Sequence, residues 1–250
     1  ILIGHIKIKY GLPERLIIIP DGILNNLSFD ALLSKISNDG SNLPLQAKEG
    51  NFLIQHHALS YCFSASMLQE MSRQRGKIKL KPMLAILAPQ FHSESKVLPY
   101  LSYQDDEVTG IQAAYDRTFK DKTSSKESFI LATEKYAYLH ISTHGFVADD
   151  PDQSFISFSQ FSPKPDSSQF MFLKELYNYP MNQELITLTA CETALGQLRE
   201  GEGNISLARG FAYSGVKSFI TTLWKINTHG AYTIIPGFYH HFFNQTQPKD

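Results

Sequence analysis

Cysteine is scarce. The 250-residue chain has two, Cys62 and Cys191. Two thiols do not make the disulfide framework of a secreted domain, so a reducing, cytoplasmic setting is expected. An excess of one charge is missing too. The formal net charge is −1, which gives no basic face for nucleic acid and no acidic tail. No run approaches the roughly 18 apolar residues of a membrane span, so no membrane contact is expected from this chain. Ile1-Leu2-Ile3-Gly4 lacks a basic start and a cleavage site, and there is no initiator methionine. The other end, Gln245-Thr246-Gln247-Pro248-Lys249-Asp250, follows closely on a predicted helix. Both ends read as cuts within a longer protein, with a sensor domain or anchor expected outside this chain. There is no internal repeat or low-complexity segment. A Gly-x-Ser-x-Gly elbow is absent, which removes support for a serine hydrolase of the α/β type. His56-His57 and His240-His241 invite a metal reading, but adjacent residues point apart and no third ligand stands at metal spacing. Neither zinc nor any other cofactor is expected.

What is present is an ordinary globular composition, 42% hydrophobic and 19% charged, enough for one large core or two modest ones. Short apolar runs alternate with helical patterns. Leu16–Ile19, Phe52–Leu59, Met83–Ala88, Tyr138–Gly145, Leu185–Thr189 and Lys217–Trp224 read as strands, and Phe155–Phe158 as a short β segment. Leu27–Leu33 is a short strand or a turn of helix. Helices are expected over Ser64–Met71 with a serine cap, and over 103–115, Ser125–Glu134, Leu173–Tyr177, Ile205–Tyr213 and Thr228–Phe243. The last of these is interrupted or started at Pro236. Segments 37–50, 73–81, 120–126, 160–169 and 196–204 read as loops or turns, with 160–169 mobile. This alternation predicts an α/β fold of three layers, a mostly parallel sheet with helices on both faces. Residues 1–80 form an N-terminal strand and helix subregion, and 81–250 the core.

Two strand ends carry chemistry. Leu185-Ile186-Thr187-Leu188-Thr189 stops just before Cys191, and Tyr138 to Thr143 runs into His144-Gly145. In open α/β sheets, sites gather at the carboxyl ends of the strands. Cys191 is either a nucleophile or a small core residue. His144 lies 47 positions before it, room for a crossover between neighbouring parallel strands. The two side chains would then meet at one edge of the sheet, with imidazole as the partner of the thiol. Gly145 allows a close backbone approach, so its N–H and that of Cys191 are candidate oxyanion donors. Glu192, beside the thiol, either steers a substrate or raises the thiol pKa. His140 reads as a supporting residue and Cys62 as core.

Four segments are arranged in a recognisable order. They are Leu139-His140-Ile141-Ser142-Thr143-His144-Gly145, then Thr189-Ala190-Cys191-Glu192-Thr193-Ala194-Leu195-Gly196, then Gly201-Glu202-Gly203-Asn204 to Phe211, then Ser214-Gly215 to Leu223-Trp224. Ile18-Ile19-Pro20-Asp21-Gly22, Ser60 to Ser66, and Leu98-Pro99 ahead of Glu107 fit as well. Together they resemble the CHAT domain, a family of caspase-like and separase-like cysteine peptidases often joined to tetratricopeptide repeats. The His-to-Cys separation also resembles that of caspases, about 50 residues. The resemblance spans nearly the whole of 1–250, read as a single domain with a caspase-like fold. It implies a cysteine endopeptidase with a His144/Cys191 dyad. A substrate strand would lie along Thr222, Leu223, Trp224 and Lys225. Related bacterial proteins are switchable proteases of antiphage and cell-death systems, in which an appended sensor controls cleavage of a protein partner such as a pore-forming gasdermin. Family members commonly carry an acid after the Leu-Trp pair. Here the run is Lys225-Ile226-Asn227-Thr228, which leaves Asp149, Asp150 and Asp152 as sources of negative charge for a substrate pocket. The alternative is a protein-interaction module of the same fold with a degenerate site.

Overall fold

The computed structural model of the chain describes residues 12–33, 52–73, 80–115, 118–121, 123–190, 197–199, 203–205, 207–222 and 228–244. The chain divides into two compact units, 1–73 and 74–250.

In the first unit, β1 (Arg15–Ile18) pairs in parallel with β2 (Ala58–Tyr61). The run around Leu16 is a strand, as expected, but not a buried one. A two-stranded ribbon leaves much of its surface open, and Ile17 is 55% exposed. Leu27–Leu33 contains a single 3-10 turn, Phe29–Ala31. Phe52–Leu59 is not one strand. It opens with the 3-10 turn Leu53–Gln55, and the strand begins only at Ala58. Helix α1 (Ala65–Arg73) starts where Ser64 Oγ accepts from the Met67 N–H. Cys62 is buried, with Sγ 3.3 Å from the Ser64 carbonyl oxygen.

The second unit is built on a five-stranded parallel sheet. Its strands are β3 (Lys81–Leu87), β4 (Thr118–Asp121), β5 (Tyr136–Ser142), β9 (Leu185–Thr189) and β12 (Phe219–Thr221). They lie in the order β12-β9-β5-β3-β4, each pair parallel. Strand β4 falls where the sequence reads as a charged turn. Among the described residues it pairs only with β3, and an edge strand tolerates a charge such as Lys120.

Side chains alternate between the two faces with the strand period of two. Ala85 and Leu87 of β3, Leu139 and Ile141 of β5, and Ile186 and Leu188 of β9 share one core with three helices. These are α3 (Lys126–Lys135), α4 (Leu173–Leu176) and α5 (Leu207–Tyr213). On the other face Leu84, Ile86, Tyr138 and Leu185 meet Val108 and Ile111 of α2 (Gln104–Ala114) and Tyr239 of α6 (Thr228–Asn244). Helix α6 runs through Pro236 rather than starting there.

Between β5 and β9 the chain makes a small antiparallel sheet of β6 (Gly145–Phe146), β7 (Phe155–Ser157) and β8 (Phe170–Phe172). Segment 160–169, expected to be mobile, is tied back by Gln160, whose side chain bonds both the N–H and the carbonyl of Asp166. The expected loop over 196–204 contains a hairpin, β10 (Gln197–Arg199) paired with β11 (Gly203–Ile205). No helix among the described residues is long and apolar enough to cross a membrane.

Candidate active site

The register between β5 and β9 organises the site. Ser142 and Thr189 are partners at the ends of the two strands, and the Thr143 N–H donates to the Thr189 carbonyl over 3.0 Å. His144 follows Ser142 by two residues. In the sequence Cys191 follows Thr189 by the same step, although Cys191 itself, with Glu192, Leu223, Trp224 and Lys225, lies outside the described residues.

His144 is half-buried. Its Nε2 lies 2.7 Å from the Pro99 carbonyl oxygen. A carbonyl only accepts, so Nε2 donates, and the neutral ring keeps its lone pair on Nδ1. The edge of the ring meets Phe91 at 4.6 Å between centroids and 69° between planes. Burial pulls the imidazole below its ordinary pKa, and the Pro99 hydrogen bond opposes part of that shift. The ring is therefore neutral at neutral pH and able to take a proton.

The segment from β3 to α2 delivers Pro99 and Phe91. Gln90 and Gln160 are linked through backbone atoms at 2.8 Å, and the Gln90 N–H donates to Ser159 Oγ. Ser95 Oγ accepts from the Leu98 N–H. Phe91, Leu98 and Leu101 pack together under the segment.

Gly145 begins β6, opposite Ile156. The Ser157 N–H donates to the His144 carbonyl. That bond makes His144 and Ser157 the hydrogen-bonded pair and Gly145 and Ile156 the non-bonded one, because the two kinds alternate. The Gly145 N–H is thus turned away from β7. Thr222 lies just past β12, and its Oγ1 donates to the Ala190 carbonyl over 2.7 Å, at the residue before Cys191. Among the described residues β12 pairs only with β9, so it is an edge strand. Of the loop acids, Asp149 is exposed. Asp150 is occupied locally, accepting from the Asp152 N–H at the start of the 3-10 turn Pro151–Gln153.

The sequence reading missed a buried polar cluster beneath the two strand ends. Parallel strands covered on both faces are usually apolar throughout. Here the α2-facing positions are Tyr138, His140 and Ser142 on β5, and Leu185, Thr187 and Thr189 on β9. Glu107 of α2, 0% exposed, reaches into this notch. One carboxylate oxygen accepts from Ser142 Oγ at 2.6 Å and the other from Thr189 Oγ1 at 2.8 Å. His140 Nε2 stands 3.6 Å from Oε1, outside hydrogen-bond reach, and His140 Nδ1 lies 3.3 Å from the Tyr239 hydroxyl. Gln104 Nε2 donates to the Ser142 carbonyl. Burial pushes the Glu107 pKa up, but the His140 imidazole and the two hydroxyl hydrogen bonds outweigh it and hold the carboxyl below the usual range. The readable signal is His140 and Ser142 in one run, and Thr187 and Thr189 in the other, two positions apart among residues otherwise mostly apolar.

A family model described as CHAT domain matches residues 4–250. The CHAT domain is a caspase-like peptidase-family domain. No curated protein matches the chain.

Proposed function

We propose that this chain, which belongs to the CHAT-domain family, is a cysteine endopeptidase with His144 and Cys191 as its dyad. The supporting observation is the β5–β9 register. It pairs Ser142 with Thr189, so that the histidine and the cysteine each follow a paired strand end by two residues. Neutral His144 takes the thiol proton. The Cys191 sulfur then bonds to the scissile carbonyl carbon, whose oxygen draws on the N–H groups of Gly145 and Cys191. The carbon–nitrogen bond breaks, and His144 returns the proton to the departing amine. Water next adds to the thioester carbonyl, giving a proton to His144; the carbon–sulfur bond breaks, and the thiolate takes that proton back from His144. A peptide adding as a strand along the open edge of β12, past Thr222 and on to Leu223, Trp224 and Lys225, suits such an enzyme. Main-chain bonds would give affinity and side-chain pockets selectivity. Asp149 and Glu192 are the acids nearest in sequence to the dyad and would bias the charge of the substrate. Control by an appended sensor, and a gasdermin-like effector as the substrate, follow from the family resemblance.

The test uses a thiol-directed peptide probe on the protein and on two variants, Cys191→Ala and Cys62→Ala. Labelling is expected to vanish with Cys191→Ala and to persist with Cys62→Ala. Labelling that depends on Cys62, or on neither thiol, defeats the peptidase assignment and leaves an interaction module of the same fold.

A further inference from the structure

Glu107 bridges the two strand ends, and it does so with a single carboxylate. Its oxygens accept from Ser142 of β5 and Thr189 of β9, residues that are register partners. Each is two positions before a proposed member of the dyad. The carboxylate is fully buried and belongs to a helix rather than to the sheet, so it fixes the pair from outside the ladder. Ladder hydrogen bonds set strand spacing along the backbone. They do not by themselves fix how the chains leave the sheet, where His144 and Cys191 begin. Gln104, one turn earlier on α2, holds the Ser142 carbonyl as well, so both polar ends of Ser142 are tied to the same helix.

Two further polar groups surround Glu107: His140 of β5 and Tyr239 of α6, whose ring stands edge-on to His140 at 5.7 Å between centroids, while Leu84 and Ile86 of β3 supply apolar cover on the same face. The Tyr239 pKa is pushed far up, first by burial and further by the Glu107 charge, so the phenol stays protonated. Taking a carboxylate out of water costs several kcal/mol before its partners repay it, and well-packed apolar side chains in such a place are often as stable or more so. Retaining the carboxylate fits a geometric task.

We propose that Glu107 is a positioning residue that sets the separation and level of the strand ends carrying His144 and Cys191. This rests on the peptidase reading above. It acts through Ser142 and Thr189 and touches neither substrate nor thiol.

The test is the rate of Cys191 alkylation by iodoacetamide as a function of pH, read by mass spectrometry with Cys62 of the same molecule as reference. The variants are Thr189→Val, which keeps the shape and removes the hydroxyl, Thr189→Ser, which restores it, Glu107→Gln and His144→Ala. Thr189→Val is expected to slow Cys191 alkylation about tenfold and to displace its pH profile, as small misplacements at a reacting pair do. Thr189→Ser is expected to recover most of the rate. Glu107→Gln should lose at least as much as Thr189→Val, and the double variant little more than Glu107→Gln alone, since the two residues act as one unit. If Thr189→Val and Glu107→Gln lower the melting temperature but leave the Cys191 profile unchanged while His144→Ala alters it, the carboxylate is merely structural and the proposal falls. If wild-type Cys191 reacts as an ordinary thiol and His144→Ala makes no difference, the peptidase reading falls, and the positioning role with it. Should Glu107→Gln fail to fold, the contrast between Thr189→Val and Thr189→Ser decides alone.

Discussion

At the residue scale, the side chain of His144, the proposed base, is held among the described residues by one hydrogen bond to a backbone carbonyl and one aromatic ring contact. Removing them in His144→Ala is expected to cost about 1 kcal/mol, which shifts the melting temperature of a unit this size by roughly 2–4 °C. Cleavage is expected to vanish in the same variant. Paired thermal melts and probe labelling check both, and a collapse of stability would mark the histidine as structural. The sequence exposes His144 readily, because a His-Gly pair after an apolar run stands out. Glu107 is hidden, because Asp105, Asp106 and Glu107 look alike in the first turn of a helix. Only burial separates them: Glu107 is enclosed while Asp105 and Asp106 face solvent.

At the element scale, the packing of α5 onto α4 depends on a missing side chain. A Cβ placed on Gly210 would come within 2.3 Å of Leu173 Cδ1 and 3.4 Å of Leu176 Cδ1. Both leucines are buried in the core and have little room to withdraw. Gly210→Ala is therefore expected to destabilise by about 1–3 kcal/mol, readable as an earlier midpoint in urea with an unchanged slope. A gain in stability, from the better helix propensity of alanine, would show the core looser than described. Elements with a long, clear apolar pattern were the legible ones. Leu185–Thr189 is bounded as its apolar run predicts, and α2 and α3 fall within a residue or two of their patterns. The misread elements sit at edges. Strands β4, β10 and β11 are short, and their polar sequences give the same signal as turns.

At the scale of the whole molecule, acid should undo the fold in two stages. The folded His144 binds its proton less readily than an ordinary imidazole, whose pKa is 6.5. The unfolded chain therefore takes up more protons as pH falls below that value, and stability declines. Glu107 contributes in a lower window. Its folded pKa lies below the ordinary 4.5, so its stabilisation is present above that value and is lost as pH falls through the folded one. Glu175, which forms an ion pair with Lys126 at 2.8 Å, adds in the same direction. Burial raises its pKa, and Lys126 with the Phe172 N–H lowers it by more. Melting temperatures taken from about pH 8 down to about pH 2 are expected to fall in both windows, more steeply in the second. A flat profile would mean that neither group differs between the folded and unfolded states. Glu107→Gln is expected to weaken the second fall, while His144→Ala removes the first.

The pairing of β5 with β9 also has a consequence in time. A hairpin brings neighbours together as soon as they are made, whereas these two strands are parallel and separated by a long excursion through β6, β7, β8 and α4. On a ribosome adding about 5–20 residues each second, the histidine end waits several seconds before the cysteine end is synthesised. Closing that long loop precedes any reward from pairing, so this step belongs among the slower ones in folding. If the proposed dyad does the cutting, the fold carries its own delay, because the newly made chain has no cutting edge until the sheet around it is complete.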